Sequence, residues 1–105
     1  MASTKEYLNY VLEQLSELED ITYRMMMGEY LLYFKGKLFG GIYDNRFLVK
    51  SVKSAVSIMP EPIYEIPYDG AKPMLLVTET EDMEFLKKLL EAMYNELLEP
   101  KKKQR

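Results

Sequence analysis

The sequence predicts an α+β fold, a two-layer sandwich in which an antiparallel sheet of about five strands carries helices on one face. Three observations predict it. Residues 3–20 and 80–99 space their apolar side chains as helices do, one at each end of the chain. Residues 21–50 alternate apolar runs with two or three turn residues, the sequence form of an antiparallel meander. The length of 105 residues, 48% hydrophobic and 30% charged, fits one domain with one core. That domain is expected over residues 1–100, with a disordered basic tail at 101–105.

In the first helix, Ser3 and Glu6 have capping-box spacing, and Tyr7, Leu8, Val11, Leu12, Leu15 and Leu18 form one stripe. In the meander, Ile21-Thr22-Tyr23 favours a strand. Gly28 permits a bulge or bend, so residues 22–35 read as one broken strand or two. Lys35-Gly36-Lys37 and Asp44-Asn45 read as tight turns, and Gly40-Gly41 inside a strand implies a bulge or a close approach. Residues 51–59 predict a short helix with Val52, Val56 and Met59 on one face, stopped by Pro60 and Pro62. Residues 63–68 suit an edge strand, Asp69-Gly70 a turn, and Met74-Leu75-Leu76-Val77 a short strand. Thr78 with Glu81 offers a second capping box for the last helix. There Met83, Leu86, Leu90, Met93 and Leu97 face the sheet, leaving Phe85 and Leu89 as an apolar flank for the first helix or another subunit.

Composition excludes much chemistry. Without Cys or His, zinc, iron–sulfur and haem sites and Ser-His-Asp or Cys-His triads lack their groups. No D-x-D-x-D-G loop and no phosphate-binding glycine motif occurs, so no metal and no cofactor is expected. No apolar run approaches ~20 residues and the polar start is no signal peptide, so neither a membrane partner nor export is expected. The absence of cysteine makes the cytoplasm the default compartment.

The net charge of −3 conceals an asymmetry. Residues 1–20 hold one basic against five acidic side chains, and residues 78–100 two against seven. Residues 21–77 hold seven basic against five acidic, and Lys101, Lys102, Lys103 and Arg105 make the tail +4. The helices are acidic, while the sheet and tail are mildly basic. A polyanion would therefore meet the sheet side or the tail, with Arg24, Arg46, Lys50 and the four tail cations as its contacts. The aromatics of the meander suit strands better than a base-stacking platform, since no RNP-like motif is present. Arg24, with Tyr30 and Tyr33, could hold a small anion, although pairing with Glu29 is the more ordinary role for such an arginine.

The run Arg24-Met25-Met26-Met27-Gly28-Glu29-Tyr30-Leu31-Leu32-Tyr33, continued by Lys35-Gly36-Lys37-Leu38-Phe39-Gly40-Gly41-Ile42-Tyr43-Asp44-Asn45-Arg46-Phe47-Leu48-Val49-Lys50, resembles the N-terminal domain of the TfoX/Sxy competence regulators. That family carries an Arg-x-Met-Phe-Gly-Gly-x-Gly-Leu-Tyr stretch and a meander ending in Leu-Tyr-Leu-Lys. Its Gly-Lys-Pro-Met-like segment matches Gly70-Ala71-Lys72-Pro73-Met74 with one residue inserted. The resemblance spans residues 5–98, but Phe-Gly-Gly-x-Gly stands here as Met26-Met27-Gly28-Glu29-Tyr30, and the regulators' second, helical domain has no counterpart. It implies a stand-alone domain of order α-β3-α-β2-α and a regulatory role without catalysis. The expected function is thus a cytoplasmic, non-enzymatic interaction module. A sheet edge or the Phe85–Leu89 flank would meet a protein partner or a second copy. The alternatives are a nucleic-acid-associated regulator and a small-ligand or anion sensor around Arg24.

Overall fold

The structure, a computed structural model, describes residues 4–59 and 61–97. Helix α1 spans Lys5–Gln14. Four strands follow, β1 (Ile21–Met26), β2 (Glu29–Phe34), β3 (Lys37–Tyr43) and β4 (Arg46–Val49). Helix α2 (Lys53–Ile58), strands β5 (Tyr64–Glu65) and β6 (Met74–Leu76), and helix α3 (Met83–Met93) complete the order, with a 3-10 turn at Tyr94–Glu96. The strands form one antiparallel sheet in the order β1-β2-β3-β4-β6-β5. This is the predicted α+β architecture with six strands instead of about five. The extra strand arises because residues 21–34 fold as a hairpin and not as one broken strand.

Each hairpin of the meander closes through two residues. Met27-Gly28, Lys35-Gly36 and Asp44-Asn45 all have positive φ at both positions, from 52° to 86°. Paired left-handed residues give a type I′ turn, whose twist matches that of the strands it joins. Gly28 therefore serves in a turn and not in a bulge. The bulge lies one strand further on, where the β2–β3 register shifts between Leu32 and Tyr33, leaving Phe39 between Leu38 and Gly40.

Gly40 and Gly41 confirm the expected close approach. A Cβ on Gly40 would lie 2.8 Å from Val49 Cα and collide with Leu48 O, both backbone of β4. One on Gly41 would lie 2.5 Å from Tyr30 O and 2.9 Å from the Tyr43 ring.

One face of the sheet presents Tyr30, Leu32, Phe34, Ile42, Phe47, Val49 and Leu75 to all three helices in a single core. Leu8, Val11 and Leu15 of the first helical segment, Ala55 of α2, and Leu86, Leu89, Leu90 and Met93 of α3 complete it. Phe39 and Phe47 meet edge to face, 6.4 Å apart.

The helix ends differ from the sequence expectation in ways that chemistry explains. Thr4 caps α1, accepting Tyr7 N–H at 3.2 Å, and Asn45 Oδ1 accepts Thr4 N–H at 2.9 Å. The expected cap Ser3 lies outside the described residues. Helix α1 stops at Gln14 and not near residue 20, since Glu13, Glu17 and Glu19 oppose the helix dipole there and Asp20 turns left-handed (φ 63°) into β1. Asp82 caps α3 in place of Thr78, accepting Phe85 N–H at 3.0 Å. Helix α2 has no cap of its own; Glu96 Oε1 accepts both Ser54 N–H and Ser54 Oγ–H at 3.1 Å. Beyond α3, the buried Lys37 donates to Tyr94 O at 3.2 Å and lies 4.0 Å over its ring. No helix among the described residues is long and apolar enough to cross a membrane.

Gly40→Ala should cost at least about 2 kcal/mol, because rigid β4 backbone and not a flexible side chain occupies the space. Met27→Asn should instead gain about 0.5–1 kcal/mol, since asparagine tolerates the left-handed turn position better than methionine. Urea unfolding of both variants measures these differences.

Candidate functional site

Two surface features lie outside the core. The first is the outer edge of β1. Its two-residue turn closes Met26 against Glu29, which fixes the phase of the β1–β2 ladder. Met26, Arg24 and Thr22 direct their backbone groups at β2, and Lys35 N–H donates to Asp20 O at 2.9 Å in the same phase. The N–H and C=O groups of Ile21, Tyr23 and Met25 therefore face outward, and no described element pairs with them. Their side chains lie opposite Phe34, Leu32 and Tyr30, on the helix-bearing face. Past the reach of the helices, Tyr23 is 40% and Met25 69% exposed, and Met27 at the turn tip is 95% exposed. The Tyr23 ring meets Tyr30 edge-on at 5.9 Å.

The opposite edge differs. Strand β5 has two residues, flanked by Pro62 and Pro67, which blunts it against pairing.

The second feature is a strap, residues 66–73, crossing the face of the sheet that carries no helix. Arg46 holds it down. Its guanidinium donates to Glu65 Oε1 at 2.5 Å, to Ile66 O at 3.3 Å and to Pro67 O at 3.5 Å, while Nε donates to Tyr43 O at 3.1 Å. Glu65 is thereby paired on the edge strand β5, with β6 lying between it and β4. Gly41 lets the Tyr43 ring lie flat on β3, where it meets Tyr68 of the strap at 6.1 Å. Tyr43 and Leu48 are consequently buried although they lie outside the core. Burial, with Tyr68, Glu29 and Tyr33 adding to it, pushes the Tyr43 phenol up to about 12. Between strap and sheet lies a groove of about 460 Å³, lined by Leu38, Tyr43, Lys50, Pro67, Tyr68 and Lys72 among others.

The structure separates most of the residues that the sequence singled out. Arg24 is exposed on the helix-free face and pairs with no described carboxylate; Glu29 instead accepts Asp44 N–H at 3.0 Å. Tyr30 is buried on the helix face, and Tyr33 is half-buried on the other, opposite Leu38. Arg46 is committed to the strap as a structural clamp. Of that group, Lys50 alone lines the groove. The expected self-association flank is corrected as well: Leu89 is 0% exposed and Phe85 packs half-buried against the core. Helix α3 packs on α2 and into the core it shares with the sheet, which covers most of its wide apolar face. Leu89→Glu would therefore unfold the chain instead of dissolving an interface. The tail cations Lys101, Lys102, Lys103 and Arg105 lie outside the described residues. Among the described residues, no group of three or more carboxylates converges as a metal site would require.

The chain is similar to the uncharacterized 12.7 kDa protein of the trpE 5′ region of Spirochaeta aurantia, 33% identical over 72 residues. The alignment covers 69% of this chain and 63% of that protein, so the chain spans less than two thirds of its relative's length. No family model and no solved structure matches the chain.

Arg46→Ala should release the strap, cost about 1–3 kcal/mol and expose the Ala71 amide, which donates to Tyr68 O at 3.0 Å, to rapid hydrogen exchange. The raised Tyr43 phenol sets a pH dependence. Its stabilisation is complete below the ordinary value near 10 and is lost as pH rises from there through about 12, because the unfolded chain ionises first. Thermal melts of Tyr43→Phe across that window should fall less steeply than those of the parent chain.

Proposed function

We propose that the chain is a non-enzymatic, cytoplasmic interaction module of the TfoX N-terminal type, and that it assembles with a second copy of itself through β1. The observation that carries this reading is the outward backbone of Ile21, Tyr23 and Met25 on an unpaired six-residue edge that bears exposed apolar side chains.

The edge is self-complementary. An antiparallel pair with its twofold axis at Tyr23 places Tyr23 against Tyr23 and Ile21 against Met25, each exchanging the backbone hydrogen bonds that now face outward. All of these side chains fall on one face, so an apolar strip continues across the axis. On the other face Thr22 meets Arg24, so no like charges oppose each other. The axis one residue further on would instead set Arg24 against Arg24.

A nucleic-acid reading retains Arg24, Lys50 and the tail but loses most of the donors of Arg46 to the strap.

Sedimentation at high micromolar concentration should give a dimer. Tyr23→Lys would set two ammonium groups against each other at the axis and should yield a folded monomer, whereas Met27→Lys, off the strand, should leave the dimer intact. A parent chain that stays monomeric overturns the self-assembly, and a Tyr23→Lys dimer moves it away from β1.

A further inference from the structure

The groove beneath the strap has the composition of a binding site for an amphiphilic anion. Its volume of about 460 Å³ lies within the range of small-molecule sites. Leu38, Tyr43, Pro67, Tyr68, Pro73 and Met74 supply an apolar and aromatic lining. Two cations, Lys50 and Lys72, line the same groove, together with Ser51.

Charge decides what kind of ligand fits. The chain carries 17 carboxylate side chains against 14 basic ones, yet none of the groove's lining residues is acidic. Neither lysine forms an ion pair with a described residue. Two lysines at an apolar cleft, with no counter-ion among the described residues, leave their charge to be matched by something that enters. The Tyr43 phenol stays neutral at ordinary pH and can donate a hydrogen bond within the groove.

The site is also built before any ligand arrives. Arg46 fixes the strap through Glu65 and two backbone carbonyls, and Gly41 sets the Tyr43 ring in place. Such preorganisation lowers the ordering cost of binding.

We propose that this groove binds a small organic carboxylate with an aromatic or aliphatic body, the carboxylate between Lys50 and Lys72 and the body against Leu38, Tyr43 and Tyr68. The site is distinct from the β1 edge and does not depend on self-assembly.

Amide NMR titration of the full chain tests it with benzoate, phenylacetate and octanoate, and with phenylacetamide as the uncharged counterpart. At least one carboxylate should shift the amides of residues 38–43, 50–52 and 66–74 saturably, with a dissociation constant of about 1 mM or tighter. Phenylacetamide should bind at least about tenfold more weakly than phenylacetate. The double variant Lys50→Gln, Lys72→Gln should lose a similar factor while keeping the parent's melting temperature. Three results would each overturn the proposal: no saturable shift with any of the three carboxylates, shifts confined to other residues, or equal binding of phenylacetate and phenylacetamide.

Discussion

Three consecutive left-handed turns constrain everything else in this molecule. Met27-Gly28, Lys35-Gly36 and Asp44-Asn45 each reverse the chain in two residues. A two-residue reversal fixes the register next to it, so the pairing of successive strands from β1 through β4 follows from the turns and from the one bulge at Phe39. The same turns decide which side chains reach the helices and which backbone groups of β1 are left facing outward. A one-residue slip at Met27-Gly28 would send Thr22, Arg24 and Met26 to the helix-bearing face in place of Ile21, Tyr23 and Met25, and turn the other set of β1 amides outward.

The two faces of the sheet are finished by different physics. The helix-bearing face is closed by apolar burial from α1, α2 and α3. The other face is closed over β3 and β4 by one polar device, the Arg46 guanidinium, which spends its donors on Glu65 and on backbone carbonyls of the strap. Gly41 contributes by absence: without a Cβ, the Tyr43 ring can lie on the strand and meet Tyr68. The result is a small lidded cleft on a face that an antiparallel sheet could have left to water.

Much of the fold was legible in local chemistry. The apolar runs, the turn residues between them and the helical stripe of Leu8, Val11 and Leu15 all report on neighbours within a few positions. Gly40-Gly41 announced a close approach, though not which backbone approached. What could not be read depends on distant residues. Arg46 meets Glu65 across nineteen positions, and Glu96 caps a helix that begins more than forty residues earlier. Leu89 looked like a spare flank because sequence spacing shows how wide an apolar face is, not how many elements will cover it. Arg24, Tyr30 and Tyr33 looked like one surface, but strand alternation sends Tyr30 to the opposite face from the other two. Tyr68 read as the end of an edge strand and Lys72 only as part of the Gly70–Met74 match, because the strap that brings them over β3 is held by Arg46 from a distant strand.

Pairing of the outward β1 backbone with a second copy would produce an alternation that amide exchange can read directly. Hydrogen–deuterium exchange is followed residue by residue along β1 at low and at high protein concentration. Under self-assembly, Thr22, Arg24 and Met26 should be protected at both concentrations, while Ile21, Tyr23 and Met25 exchange freely when dilute and become protected when concentrated. Exchange at Ile21, Tyr23 and Met25 that does not change with concentration would contradict it.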